Sequence, residues 1–179
     1  MIRWLMVAAL AVTPVSAPVM AGAQSADSIE ARLGRVEDAL AIERILVDYA
    51  ALLDGRDYAG YAALFTPDGE WANAAVSNKG RDAIRAMLEK MLGPAGAPNR
   101  SNYHIVSNPR IALDGDRATA TSRYLFVMRG ADGRPVASLA GIYRDELVRL
   151  DGNWMIRRRV ADDIMPTPEE WRKIMQGTK

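Results

Sequence analysis

Four long segments rich in β-branched and aromatic residues fill most of the second half of the chain, and they constrain its fold more than any other feature. They span residues 103–113, 117–129, 135–150 and 153–162, and Asp114-Gly115-Asp116, Gly130-Ala131-Asp132-Gly133 and Asp151-Gly152 separate them. Asp-Gly between alternating apolar runs is a strong signal for a β-hairpin. The sequence therefore predicts a long antiparallel meander.

The first half of the chain has helical spacing instead. Apolar residues recur close to the helical period over 28–53, which predicts one long helix with Gly55 as its left-handed cap. Further elements are predicted as helices over 58–65, 80–92 and 168–175 and as a short strand around 70–74. Helices followed by a meander indicate an α+β fold. We expect a cone-shaped α+β barrel, in which a strongly curved antiparallel sheet wraps around the long N-terminal helix, with two shorter helices and an enclosed cavity.

The N-terminal residues have the pattern of a secretory signal peptide. Arg3 lies before an apolar stretch over 4–12, and Ala21-Gly22-Ala23 offers a cleavage site with small residues. The apolar stretch is too short to span a bilayer. We therefore predict a signal peptide over 1–23, a single domain over 24–179, and a periplasmic or secreted protein that has no membrane attachment after cleavage.

Composition excludes several classes of function. The chain has 23 basic and 22 acidic residues, one histidine and no cysteine. Without Arg3 the charges balance, so nothing favours binding to nucleic acid or an anionic membrane. A lone histidine with scattered carboxylates lacks the clustered ligands of a zinc or iron site, and no glycine-rich phosphate or dinucleotide motif is present. The expected partner is a small molecule, with no metal and no cofactor.

Three residues are candidates for acid–base chemistry. His104, in an apolar strand, is the only side chain whose ordinary pKa lies near neutrality, although it could instead be a core histidine with both nitrogens satisfied. Asp54 faces the negative end of the helix dipole, which favours a compensating partner such as His104; a solvated turn residue is the alternative. Tyr49 lies on the apolar stripe one turn earlier, and its hydroxyl could donate to a ligand or to a backbone acceptor in the core.

Other residues are candidates for binding a substrate. Aromatic side chains that could line a pocket for a flat apolar or aromatic ligand are Trp71, Tyr103, Tyr124, Phe126 and Tyr143. Aromatic residues on strands also occur in cores and interfaces. Asn73 could bind a ligand through hydrogen bonds. Arg159 could reach the rim of the pocket, although a solvated strand face is its alternative position.

Several motifs resemble the SnoaL-like branch of the nuclear transport factor 2-like superfamily. They are YAALLDGRDYAGYAALFTPDG over 49–69, GRDAI over 80–84, His104 with Asn108 ahead of Asp114-Gly-Asp, and GNWMI over 152–156. The resemblance covers nearly all of the chain after the leader, and it implies the cone-shaped fold. The superfamily includes dehydratases, isomerases, cyclases, hydrolases, oxygenase subunits and non-catalytic binding proteins, so membership alone does not fix a function.

The resemblance is more specific at three positions. Lyases of the scytalone dehydratase and bile acid 7α-dehydratase type are similar at Asp54 and His104, and the second type also at Tyr49. This implies a cofactor-independent lyase with a His-Asp acid–base pair, acting by dehydration or by retro-aldol C–C cleavage such as deformylation. Steroid isomerases of this superfamily have an aspartate as their catalytic base at the position that Asn73 occupies here. This chain therefore departs from the isomerase type.

Alternatives to the lyase are an isomerase or cyclase of the same fold, a non-catalytic periplasmic binding protein, and an oligomeric scaffold. Dimerisation through the outer face of the sheet is common in this fold. The charged front of the first helix could instead support a trimer. We therefore expect a homodimer or a homotrimer.

Overall fold

A computed structural model describes residues 27–177. The elements are α1 (Ile29–Asp54), α2 (Tyr58–Ala63), β1 (Phe65–Asn73), β2 (Ser77–Lys79), α3 (Arg81–Leu92), β3 (Asn102–Asp114), β4 (Arg117–Arg129), β5 (Pro135–Leu150), β6 (Asn153–Met165) and α4 (Pro168–Gly177). The predicted signal peptide over 1–23 lies outside the described residues. None of the described helices is long and apolar enough to cross a membrane. The predicted export and oligomeric state stay predictions.

The six strands form one sheet in the order β2-β1-β6-β5-β4-β3. Neighbours are antiparallel except β1 and β6, which are parallel. The predicted meander is confirmed, and Asp151 and Gly152 at its last turn both have positive φ, as a tight hairpin of the favoured hand requires. Register shifts in β3, β4, β5 and β6 bend the strands, because a bulge adds local twist and curvature.

The curved sheet packs around the second half of α1. Ile42, Ile45, Leu46, Tyr49 and Leu53 are buried against it, at helical spacing. The first half of the helix is mostly exposed. It is attached to the sheet by Asp38, which accepts hydrogen bonds from Arg149 and Trp154, residues of β5 and β6. The cone-shaped α+β architecture predicted from the sequence is therefore confirmed, with α2 and α3 packed against each other and against β1.

The end of α1 differs from the prediction. Gly55 has a right-handed φ of −74°, so its predicted left-handed role is wrong. Arg56 takes the left-handed conformation instead, with φ of 59°. Its guanidinium is buried and donates hydrogen bonds to Asn99, Ser101 and Asn102. These partners hold a non-glycine residue in a conformation that glycine would adopt more easily.

Other element boundaries also differ, and β6 ends at Met165 rather than at residue 162. The strand predicted around 70–74 begins at Phe65, and α2 therefore ends at Ala63 rather than at residue 65. Pairing with β6 is the cause. Phe65 lies opposite Ile156, and the backbone N–H of Ile156 donates a hydrogen bond to the carbonyl of Leu64. The short edge strand β2 was not predicted. Its three residues are too few for an alternating pattern.

Arg159 is fully buried, so both its predicted position at the rim of the pocket and the alternative of a solvated strand face are wrong. Its Nε and Nη2 atoms donate to the two carboxylate oxygens of Asp145 at 2.6 and 2.8 Å, and both side chains are 0% exposed. Strand pairing sets Asp145 directly opposite Arg159. The guanidinium also lies 3.8 Å from the ring centroid of Tyr49 and 4.5 Å from that of Tyr143. Burial by itself would lower the pKa of Arg159. The negative charge of Asp145 outweighs that effect and holds the pKa above its usual value.

We expect Asp145→Asn to lower the free energy of unfolding by about 3–5 kcal/mol, because it leaves a buried guanidinium without its counter-charge. Urea denaturation followed by tryptophan fluorescence measures this loss. The control is Asp162→Asn, which breaks the exposed pair with Arg144 and should change stability by less than about 1 kcal/mol. Equal losses in the two variants would contradict the structural role assigned to the buried pair.

Candidate active site

A cavity of about 420 Å³ lies between the inner face of the sheet and helices α1 and α3. This volume is typical of sites for small molecules. Most of its wall is apolar and includes Leu53, Met87, Met91, Phe126 and Leu139. The lining residues that carry a polar group are Tyr49, Tyr61, Trp71, Asn73, His104, Tyr124, Tyr143 and Asp163. A largely apolar pocket with a small set of polar groups is suited to a compact, mainly apolar ligand.

Asp54 holds His104 at two points. The Nδ1 atom of His104 lies 2.6 Å from Oδ1 of Asp54, and its backbone N–H donates to Oδ2 at 2.8 Å. Their side chains are only 9% and 17% exposed, respectively. Because the carboxylate accepts, Nδ1 carries the proton of the neutral ring. Within residues 27–177, Nε2 has no hydrogen bond, so the alternative of a core histidine with both nitrogens satisfied does not describe this site.

Further hydrogen bonds fix the position of Asp54. Asn102 donates to its Oδ1 atom at 3.1 Å, and Asn99 donates to its backbone carbonyl at 2.9 Å. Arg56 in turn donates to the side-chain oxygen of Asn102 at 2.5 Å. Asp54 is therefore not the solvated turn residue of the alternative interpretation. Sequence reasoning missed Asn99, Asn102 and the role of Arg56, because polar residues in a loop or at the end of a strand have no periodicity that indicates a partner.

Tyr49 is oriented by Trp71. The indole Nε1–H of Trp71 donates to the hydroxyl of Tyr49 at 2.9 Å, so the phenol acts as an acceptor and keeps its own proton available to donate. The ring is 1% exposed and packs against the guanidinium of Arg159 and the rings of Tyr61 and Tyr143. Tyr49 lines the cavity. Among the described residues its hydroxyl donates to no backbone acceptor, so the alternative of a core residue bonded in that way does not apply.

Most of the predicted lining residues do line the cavity. They are Trp71, Asn73, Tyr124, Phe126 and Tyr143. The ring centroids of Phe126 and His104 are 4.5 Å apart. The side-chain oxygen of Asn73 accepts from the backbone N–H groups of Ala75 and Val76, which leaves its amide nitrogen as a donor.

The prediction for Tyr103 is wrong. Its side chain is 60% exposed and does not line the cavity. Tyr103 directly precedes His104 on β3, and neighbouring residues of a strand point to opposite faces. The two residues therefore cannot both face inwards. Arg159 is also absent from the cavity wall, since it lies beneath the rings of Tyr49 and Tyr143.

Asp163 is a cavity residue that sequence reasoning missed. Its Oδ1 atom accepts a short hydrogen bond from the hydroxyl of Tyr124. Burial, and then this hydrogen bond, raise the pKa of Tyr124, so its proton stays on the phenol. The predicted strand ends at residue 162, whereas β6 extends to Met165. With the longer strand, alternation would have located Asp163, since Arg159, Ala161 and Asp163 share one face of β6. Across residues 27–177, no group of three or more histidine and acidic side chains is arranged to hold a metal ion.

Comparison with known sequences relates this fold to a family. The family model of the SnoaL-like domain matches residues 34–160. An uncharacterised protein of Mycobacterium tuberculosis is 31% identical over 132 residues, which are 72% of this chain and 86% of that protein. The motifs that resemble this family in the sequence are thus accompanied by similarity across most of the domain.

Two solved structures from Novosphingobium aromaticivorans are similar in fold. An NTF2-like protein with a cystatin-like fold has a TM-score of 0.71 and 24% identity, and the match covers 82% of this chain and 94% of the other. A protein named "Putative Scytalone Dehydratase" has a TM-score of 0.65 and 32% identity, with 75% and 89% covered. The first similarity supports the fold, and the second is to a relative named for a lyase.

The buried tyrosines predict a loss of stability at high pH. Burial raises the pKa of Tyr61, Tyr124 and Tyr143, since it disfavours the phenolate. The unfolded chain ionises these groups at about pH 10, so the folded state is favoured fully below that pH and progressively less above it. We expect their tyrosinate absorbance at about 295 nm to appear only as circular dichroism reports unfolding.

Tyr143→Phe serves as the control for that titration. It should reduce the unfolding-coupled rise in absorbance by one tyrosinate, because one buried phenol has been removed. Full ionisation of all 6 tyrosines with unchanged circular dichroism would contradict the proposed effect of burial.

Proposed function

Because the chain belongs to the family of SnoaL-like domain proteins, we propose that it is a cofactor-independent lyase acting on a small apolar or aromatic substrate that carries a hydroxyl group. The observation that carries this proposal is the contact of 2.6 Å between Asp54 and Nδ1 of His104 at the wall of an apolar cavity. Similarity to a protein named for a dehydratase supports the same class of reaction.

His104 is the proposed proton carrier. Its Nε2 atom takes a proton from the carbon next to a carbonyl or a phenol-activated centre, and the ring becomes an imidazolium. Asp54 stabilises that positive charge and keeps the other ring nitrogen protonated throughout. Positioned acid–base catalysis of this kind is typically worth about 10²–10⁴-fold in rate.

Tyr49 and Asn73 are the proposed donors to the oxyanion that forms when the proton leaves. The hydroxyl of Tyr49 accepts from Trp71, and within residues 27–177 it donates in no hydrogen bond, so its proton can be given to a ligand. The amide nitrogen of Asn73 is a second donor at the cavity wall. Donors that are fixed before the reaction stabilise developing charge strongly in a site that contains little water.

Two reactions use these groups. In a dehydration, the imidazolium of His104 returns its proton to the departing hydroxyl, the C–O bond breaks, and water leaves. In a retro-aldol cleavage, Nε2 takes the hydroxyl proton, the C–C bond breaks to give an aldehyde, and the imidazolium protonates the enolate carbon. An isomerase or cyclase would use the same proton carrier without loss of a fragment.

A single probe tests both lyase reactions. A fluorogenic β-hydroxy ketone with a methoxynaphthyl group gives an enone on dehydration and a naphthaldehyde on C–C cleavage. We expect His104→Asn and Asp54→Asn to lower turnover by about 100-fold or more, while circular dichroism and probe binding stay close to those of the wild type. Glu43→Gln, on the exposed face of α1, is the control and should keep full activity.

Wild-type turnover of this probe in both variants would remove the two residues from the mechanism. Tight binding by the wild-type protein without turnover of any member of a β-hydroxy ketone series would favour the non-catalytic binding protein instead.

Tyr49→Phe tests the oxyanion donor. We expect kcat/KM to fall by about 10²-fold and stability to fall by about 1–3 kcal/mol, since the indole of Trp71 loses its acceptor. Tyr58→Phe is a matched control, because that buried hydroxyl donates to the carbonyl of Gly93, outside the cavity. It should lose stability but keep its activity. A Tyr49→Phe protein with unchanged kcat/KM would contradict the assigned role.

A further inference from the structure

We propose that Asp163 and Tyr124 form a second polar site in the cavity, which binds a substrate hydroxyl group other than the one at His104. This inference rests on the proposed function and narrows its substrate class to a flat apolar compound with two oxygen functions. Asp163 is assigned a role in selecting and orienting the substrate, and the proton transfers remain with His104.

The position of the pair is fixed by the register of three adjacent strands. Tyr124 on β4 lies opposite Gly141 on β5, and Gly141 lies opposite Asp163 on β6. The side chain of Tyr124 passes over Gly141 to reach the carboxylate. A Cβ at position 141 would lie 2.5 Å from the hydroxyl of Tyr124 and 2.3 Å from the carbonyl oxygen of Asp162. The absence of a side chain at Gly141 therefore permits the pair.

The carboxylate of Asp163 has spare capacity to accept hydrogen bonds. Within the described part of the chain, the only hydrogen bond to its side chain comes from Tyr124 and goes to Oδ1, and no cation pairs with it. A carboxylate can accept about four hydrogen bonds. Asp54, by comparison, accepts three at its side chain, from Asn102 and twice from His104. A partly buried carboxylate with one neutral donor favours a ligand that supplies another.

A hydroxyl group fits this site better than a cation. The wall around Asp163 is mainly apolar and includes Phe126 and Leu139. Moving a cation from water into such surroundings costs more free energy than moving a neutral hydroxyl. A neutral hydroxyl therefore supplies the missing donor at the lower cost.

The two polar sites are separated by apolar wall. Phe126 lies opposite His104 in the register, and Tyr124 is two residues along the same strand, so the Cα atoms of Phe126 and Tyr124 are roughly 7 Å apart. Asp163 lies two strands beyond Tyr124, which separates their Cα atoms by about 10 Å across the sheet. Phe126 and Leu139 line the wall between them. This spacing suits a flat aromatic body with an oxygen at each end.

Binding of paired probes tests this inference. The first probe is a naphthalenediol with one hydroxyl on each ring, and the second is the naphthol that lacks one of them. Isothermal titration should give the wild-type protein about tenfold or greater preference for the diol, the gain expected from one hydrogen bond to a charged acceptor. In Asp163→Leu the preference should fall to about one, with naphthol still bound.

Three further variants sharpen the result. Asp163→Asn keeps an acceptor without the charge and should give an intermediate preference, which also serves if the leucine variant does not fold. Gly141→Ala should lower both the preference and the stability, because its methyl group clashes with the hydroxyl of Tyr124 and with the backbone carbonyl of Asp162. Asp162→Asn, one residue away on the exposed face, should match the wild type. An unchanged preference for the diol in Asp163→Leu would overturn the proposal.

A cationic probe distinguishes the alternative ligand. Binding of naphthylmethylammonium more tightly than the diol, with loss of that binding in Asp163→Leu, would assign the carboxylate to cations and overturn the hydroxyl site. The binding ratios do not depend on turnover. If His104→Asn retains full activity while Asp163→Leu loses its diol preference, the proposed lyase fails and the hydroxyl site stands. If instead His104→Asn loses activity while Asp163→Leu keeps its preference for the diol, the proposed lyase stands and the hydroxyl site fails.

Discussion

The carboxylate of Asp54 joins the last residue of α1 to β3 through both the backbone and the ring of His104. One contact therefore fixes where the long helix ends against the sheet and how the only imidazole is oriented. The polar loop around Asn102 supports the same carboxylate. Helix packing and site geometry are thus set by the same hydrogen bonds, so a change in one should alter the other.

Elsewhere in the barrel, the fully buried ion pair is kept apart from the cavity. The ion pair of Arg159 with Asp145 is fully buried and lies beneath the aromatic rings of Tyr49 and Tyr143, where its charges satisfy each other. The cavity above is left with hydroxyls, an amide, an imidazole and the carboxylate of Asp163 among apolar side chains. This arrangement suits proton transfer on a compact apolar substrate, since few groups compete for the proton.

Much of the fold could be predicted from local pattern. The bounds of β4 and β5 agree with the predicted segments, because Asp-Gly turns and alternation define both ends. The meeting of His104 with Asp54 followed from a lone imidazole, an unfavourable helix-end carboxylate and the family resemblance. It was harder to predict which face of the sheet a strand residue occupies. Tyr103 was predicted to face inwards although it adjoins His104, and Asp163 was missed although it shares a face with Ala161.

The central claim is that Asp54 fixes the tautomer of His104 and leaves Nε2 as the proton acceptor in the cavity. Because the chain has one histidine, ¹⁵N-histidine labelling gives a single imidazole in nuclear magnetic resonance spectra. We expect the neutral ring to carry its proton on Nδ1, and Asp54→Asn to change that tautomer balance. A ring protonated on Nε2 in the wild-type protein, or signals unaffected by Asp54→Asn, would contradict the account.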